Sequence, residues 1–508
     1  MRRRAPLSAG VVALVAVSAS LLVTVAGSTC PNGCSCNENT LVVTCEEANL
    51  DVIPITLNPS IRELRLRSNR IETVNAAVFQ FYIELRRIDL AHNNLVSIDE
   101  SAFEHQRSLH ELILNNNKIS TVDHGSFAGL TNLTVLNLRG NLIVNLTRGM
   151  FKNMPRLQKL DLGNNRLSNI DPAAFQDLRS LSELYLDDNA LRSIPSTALA
   201  PLSSLAELKL GLNLFVTLPD GAFERLVRLT ALDLSGAGLS NVTEGAFRGL
   251  DGLRTLNLNN NKFNAIPTRQ LVGLARLENL DIGSNNISVV PAGAFAGLSL
   301  LRSLKISGSV LEIVDPDAFR ENLSLETLEI SSNKRLATLP SGLLTGLPRL
   351  RHLSLRDNSL TDIPQDLAPW SELRTINLAE NPLHCVCSLR WLRDVLVRKN
   401  ETTALCASPL EVRDRALHEV PPDALGCTRH DTGQQAIIGI ICGSALALLL
   451  VVSVALFRCR HRLHGMLKNY RWNKRAISRK EQEYQKTFSE DDFVVRVQDT
   501  KPVPVTEL

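Results

Sequence analysis

The chain has 508 residues, 44% of them hydrophobic but only 4% aromatic, and the apolar share is carried by leucine rather than by a varied core set, which points to a repeat. The net charge of +3 is unevenly spread: residues 1–27 carry +3, and residues 458–508 hold 12 Lys or Arg against 7 Asp or Glu, which leaves −5 between them. So mildly acidic a middle offers no broad cationic surface for nucleic acid or heparin.

In chain order, Arg2, Arg3 and Arg4 precede an apolar stretch from Val11 to Val25 and the small residues Ala26, Gly27 and Ser28. This is the layout of a cleaved signal peptide over residues 1–27. A cap over 28–60 follows, with Cys30, Cys34, Cys36 and Cys45, in an oxidising setting that favours disulfides over zinc.

From Ile61 the pattern L-x-x-L-x-L-x-x-N-x-L recurs every 24 residues, as in Leu85, Ile88, Leu90, Asn93 and Leu95. It restarts at Leu109 and onward to Leu325, then at Leu350 and Leu373 after steps of 25 and 23, which makes fourteen repeats over 61–384. The x-L-x-L core predicts a short strand with its leucines inward and their neighbours outward, and successive strands stack in parallel. The asparagines, from Asn69 to Asn213 and beyond, predict a ladder of amides bonded to backbone groups where the chain turns inward. Two rungs depart from it, Ala237 and Ser309, and the coil is expected to be less well held there, so that restoring Asn at 237 stabilises it. Ten residues past each rung comes an apolar anchor, Phe79, Phe103, Phe127, Phe151 and Phe175 among them, which belongs to the core of the convex side.

A second cap over 385–427 holds Cys385, Cys387, Cys406 and Cys427 beside Trp391; within each cap, spacing alone permits three pairings. After a linker, 428–435, residues 436–457 run 22 positions without a charge, long enough as a helix to cross a hydrocarbon core of about 30 Å. Arg458, Arg460 and Arg462 on its far flank place the 458–508 tail in the cytoplasm, in single-pass type I topology at the plasma membrane. Gly439 and Gly443 on this helix form a small-residue pair suited to lateral dimerisation, and Cys442 and Cys459 are expected free, Cys459 as a palmitate candidate. The basic stem with Tyr470 and Trp472 suits anionic lipid, Ser478 and Ser489 are kinase candidates, and Thr506, Glu507 and Leu508 form a terminus fit for a PDZ scaffold. Six sequons lie in the outer part, at Asn132, Asn145, Asn241, Asn286, Asn322 and Asn400, whereas Asn58 is blocked by Pro59.

So many 24-residue repeats between two cysteine caps resemble the extracellular leucine-rich-repeat membrane proteins of cell adhesion and neuronal target selection. With the tail stretch Glu483-Tyr484-Gln485-Lys486-Thr487 they look most like the arthropod capricious and tartan group. The resemblance implies a solenoid of α/β type, a leucine-rich-repeat horseshoe with a parallel concave sheet, disulfide-capped at both ends, followed by the membrane helix and a disordered tail. It also implies the pairs Cys30–Cys36, Cys34–Cys45, Cys385–Cys406 and Cys387–Cys427.

The functional expectation is a receptor or adhesion molecule that takes an extracellular protein ligand, or a second copy of itself, on the concave face. No cofactor or metal is expected, nor catalysis: no H-E-x-x-H, G-x-S-x-G or phosphate-cradling loop occurs. A 51-residue tail is too short for an enzymatic or TIR-type signalling domain. The alternative is an accessory subunit of a membrane channel or receptor complex. Within the concave face, the outward residues Lys159, Asp161, Glu183, Tyr185, Asp187, Asp188, Glu207, Lys209 and Leu212 form the candidate ligand site, an interface-prone tyrosine amid charge.

Overall fold

The structure, a computed structural model, describes residues 30–427 and the helix 431–484. The signal segment, residues 428–430 of the linker, Ser489 and the Thr506-Glu507-Leu508 terminus lie outside the described residues. Two compact units divide near Gly426.

In the first unit each repeat contributes one three-residue strand, from Glu63–Arg65 to Thr375–Asn377, and these fourteen pair in parallel, in register, within one 16-stranded sheet. The central leucine or isoleucine of each strand is buried and its neighbours face outward, as a period of two requires. The sheet begins with a hairpin the sequence did not announce. Ser35–Asn37 pairs antiparallel with Val42–Thr44, which then pairs in parallel with Glu63–Arg65 and so adds a fifteenth coil.

Two ladders hold the coils together. In the regular one, Asn93 Nδ2 donates to the carbonyls of Leu66 (2.9 Å), Leu90 (3.0 Å) and Ala91 (3.2 Å), while its Oδ1 accepts from Ile71 N at 3.1 Å. The residue before each rung has a positive φ in all fourteen repeats, the bend that carries the chain inward. On the convex side the anchors form a stacked spine, with ring centroids 5.4 Å apart for Phe79 and Phe103 and 6.1 Å for Phe151 and Phe175.

At the irregular rungs other partners stand in for part of the missing amide. At Ala237 the backbone replaces the missing amide: Phe215 N donates to Ala237 O at 2.9 Å, with Gly236 and Gly238 at φ +61° and +81°. Each carbonyl that a 237 amide would serve keeps its other donor, since Leu210 O accepts from Asn213, Leu234 O from Asn261 and Ser235 O from Leu212 N. At Ser309 the hydroxyl accepts from Asn285 N at 3.3 Å, and Ser309 N donates to Asn333 Oδ1 at 3.0 Å. At both rungs, then, other groups take over part of the bonding that the amide supplies elsewhere.

The caps close both ends by disulfides Cys30–Cys36, Cys34–Cys45 and Cys385–Cys406; Cys387 and Cys427 are also disulfide-bonded, and Cys442 and Cys459 are free. Over the last coil lies the helix Arg390–Lys399, whose Trp391 ring sits 5.2 Å from Trp370 and whose Lys399 Nζ donates to the carbonyls of Ser371 and Leu373.

The second unit is the helix Asp431–Tyr484, in which Gly439–Lys468 is long and apolar enough to cross a membrane. Gly439 and Gly443 have no atom within 4 Å of a notional Cβ, apart from the helix's own backbone.

Candidate functional site

Parallel in-register pairing turns equivalent positions of successive repeats into columns on the concave face, so residues 24 apart in sequence are side-by-side neighbours. Lys159, Glu183 and Glu207 share one column, and Asp161, Tyr185 and Lys209 the next. The register thus brings six of the nine candidate residues together, with Asp187 beyond them.

What assembles is a self-satisfied network. Tyr185 is only 9% exposed, with Lys159 Nζ 4.6 Å and Lys209 Nζ 4.1 Å from its ring centre. Its hydroxyl donates to Glu183 Oε2 at 2.8 Å and accepts from Lys159 Nζ at 3.2 Å, while Lys159 Nζ also donates to Glu183 at 2.7 Å. Burial, reinforced by the Glu183 carboxylate, pushes the phenol up to about 12. The Lys159 hydrogen bond holds the Glu183 carboxyl below its ordinary range, and burial raises that of Asp161. The tyrosine read from sequence as an open contact residue is therefore a tie between three coils.

Sequence reasoning missed Arg139. Its guanidinium crosses above Gly163 to reach Asp187, two repeats away, with contacts at 2.7 and 3.2 Å, and touches Asp161 at 3.4 Å. A Cβ at Gly163 would lie 2.1 Å from Arg139 Nη1, so the glycine is what lets the arginine through. The signal was available as a column, Arg139, Gly163 and Asp187 at equal spacing.

Asp188 and Leu212 lie apart from this network, at the bend before the ladder asparagine. That position is left-handed throughout and is filled elsewhere by Gly, Asn, Ser, Asp, His or Glu; Leu212 has φ +53° and is 52% exposed. A left-handed leucine costs roughly 1–2 kcal/mol. Beyond it Leu214 and Val216 are also exposed, and the Leu212 side chain lies over Gly236, with Cδ2 2.6 Å from a notional Cβ there. The neighbouring coil reads Ser235-Gly236-Ala237-Gly238, so this edge presents an apolar ridge beside a side-chain-poor floor.

Among the sequons, Asn145, Asn241, Asn286 and Asn400 are exposed and Asn132 is half-buried, its amide bonded to Arg107 O. Asn322 is corrected: at 1% exposure, its Nδ2 donates to Phe295 O at 3.0 Å and Leu298 O at 3.1 Å. It fills the slot that most other repeats give to leucine, three residues past the convex anchor, so a glycan has no room on it. Among the described residues no group of three or more His, Cys, Asp or Glu is placed to hold a metal ion.

A family profile described as leucine rich repeat matches seven overlapping stretches that run from residue 59 to residue 383. Among curated proteins, the chain is 33% identical over 88 residues to chondroadherin of Homo sapiens, covering 17% of this chain and 24% of that protein. It is 41% identical over 78 residues to leucine-rich repeat-containing protein 3B of Homo sapiens, covering 15% and 30%. The chain thus spans about a quarter to a third of the length of these relatives. In fold it resembles the structure of the Toll–Spatzle complex of Drosophila, with a TM-score of 0.53 and 18% identity over 72% of this chain and 61% of that one. Since the repeat profile matches well over half of the sequence, the chain belongs to the leucine-rich-repeat family.

Proposed function

We propose that this protein is a cell-surface binding molecule, anchored by the 436–457 segment with its solenoid outside the cell, which recognises a protein ligand through the concave sheet and its adjoining edge. The observation that carries this reading is Leu212. Its exposed side chain gains little from burial to offset a strained backbone, and strain retained without a packing return is characteristic of binding surfaces. In this reading the Lys159–Glu183–Tyr185–Lys209 network is a stiff polar platform. The ridge of Leu212, Leu214 and Val216 is the apolar anchor at its margin, so that apolar and polar contact lie side by side for a protein partner. Toll, whose fold this chain shares, is seen bound to the protein Spatzle, which supports a protein ligand. Kinship with the capricious and tartan group, pairing of two copies through Gly439 and Gly443, and scaffold recruitment by Thr506 and Leu508 belong to the same proposal.

The test is a tagged ectodomain, residues 28–435, applied to a panel of cells and to cells expressing the full chain. Staining that Val216→Lys abolishes, and that a substitution on the convex side such as Arg320→Ala does not, supports the reading. Staining that survives Val216→Lys counts against the ridge. Absence of staining on any cell, with a multi-span channel co-purifying through the membrane helix, favours the accessory-subunit alternative.

A further inference from the structure

Asn322-Leu323-Ser324 is an intact acceptor sequence whose acceptor atom is closed off in the folded coil. Both hydrogens of Asn322 Nδ2 are engaged by carbonyls of the preceding repeat, at Phe295 and Leu298, and its Oδ1 is buried with no partner. An orphaned carbonyl is a cost that leucine, used at 130, 178, 202, 226, 250, 274 and 298, does not incur. Meanwhile Leu323 is exposed and Ser324 half-buried, so the remainder of the acceptor sequence stays near the surface.

We propose that Asn322 is a folding-gated site for N-linked oligosaccharide, open only until the coil of repeat eleven closes on that of repeat ten. The inference rests on the reading that the solenoid enters the secretory pathway. The donor is a lipid-pyrophosphate-linked oligosaccharide. Asn322 Nδ2 forms a bond to the anomeric carbon, the carbon–oxygen bond to the pyrophosphate breaks, lipid pyrophosphate leaves with the electron pair, and the amide proton passes to base. The product keeps one N–H where the folded coil uses two, and it carries a sugar where the coil has no space. A marked chain therefore cannot dock repeat eleven on repeat ten. Because each repeat of a solenoid is stabilised by its neighbours, the break falls inside the stack rather than at an end. Closure before transfer gives an unmarked native chain, and delayed closure converts a slow folder into a permanently tagged one.

The experiment expresses the full chain in secretory cells, separates surface from retained protein, and removes glycans with a peptide-N-glycosidase in heavy-oxygen water, so each formerly modified Asn reads as a labelled Asp. Expected is no label at 322 in the surface pool, with label at exposed sequons such as Asn145 or Asn241. Leu298→Ala, or the milder Phe295→Leu, slows closure and raises label at 322 in the retained pool, and adding Ser324→Ala then restores part of the lost surface delivery. Label at 322 in surface protein overturns the proposal, as does an unchanged retained pool in both closure variants. A complete lack of label at every sequon overturns the secretory reading and this proposal with it.

Discussion

Replacing Ala237 with asparagine restores the consensus rung, and a pattern-based view expects a gain in stability. The structure predicts a loss. In a regular rung the amide accepts one backbone N–H and donates to three carbonyls. Here the N–H of Phe215 is taken by Ala237 O at 2.9 Å, and the three carbonyls accept from Asn213, Asn261 and Leu212. The Nδ2 of an added amide could take the second bond that such carbonyls accept in a regular rung, but its Oδ1 would face a Phe215 N–H already held by Ala237 O, and Ala237 is fully buried on a backbone set by two left-handed glycines. Leaving that buried Oδ1 without a donor costs about 1–3 kcal/mol. Chemical denaturation of the ectodomain, comparing Ala237→Asn with wild type at equal slope, should show a lower midpoint, by that free energy divided by the slope. A raised midpoint would refute the reasoning and show that the substituted backbone bond is weaker than the amide rung it replaces.

Three further outcomes follow from the geometry. Asn322→Leu should stabilise the ectodomain by about 1 kcal/mol, since it removes the unpartnered Oδ1 while Phe295 O and Leu298 O keep their bonds to Leu298 N and Leu301 N; a drop in the denaturation midpoint would contradict this. Tyr82 and Tyr185 are the two tyrosines of the ectodomain and burial raises both, Tyr185 to about 12, so ultraviolet titration of the folded protein should show no tyrosinate near the ordinary value of about 10. Because the folded-state value is the higher one, this stability is fully present below that ordinary value and is lost as pH rises toward the folded one; a normal phenolate transition in the folded protein would mean the Lys159–Tyr185–Lys209 stack is open. Phe151→Ala, at the middle of the stacked spine between Phe127 and Phe175, should cost roughly 3–5 kcal/mol and raise hydrogen exchange in the adjoining coils first, whereas uniform exchange would deny the spine a local role.

The fold was legible because a 24-residue period leaves few choices for where leucine, asparagine and phenylalanine go. The same period misled wherever a residue was read by its own chemistry instead of by its column. Asn322 was taken for a surface acceptor from a three-residue motif, although its distance from Phe319 already placed it in the buried leucine slot. Tyr185 was taken for an open contact, although Lys159 and Lys209 stand one coil to each side of it. Arg139 and Asp187 were legible as partners only by noticing the glycine between them. Ala237 was a different case, because the substitute acceptor is a backbone carbonyl whose position depends on the φ of two glycines that sequence does not supply. The hairpin at Ser35–Asn37 and Val42–Thr44 breaks the period and had no column to be read from.

The proposal that the edge beside the Tyr185 platform is the ligand surface is tested most directly by Leu212→Asn, measured for stability and binding in one preparation. Asparagine fills this left-handed position at 116, 164 and 260, so the substitution relieves backbone strain while deleting the exposed apolar contact. The account predicts opposite signs: a gain of about 1 kcal/mol in unfolding free energy together with loss of ectodomain staining on the cells that bind wild type. Staining retained at wild-type strength by the stabilised variant would contradict it.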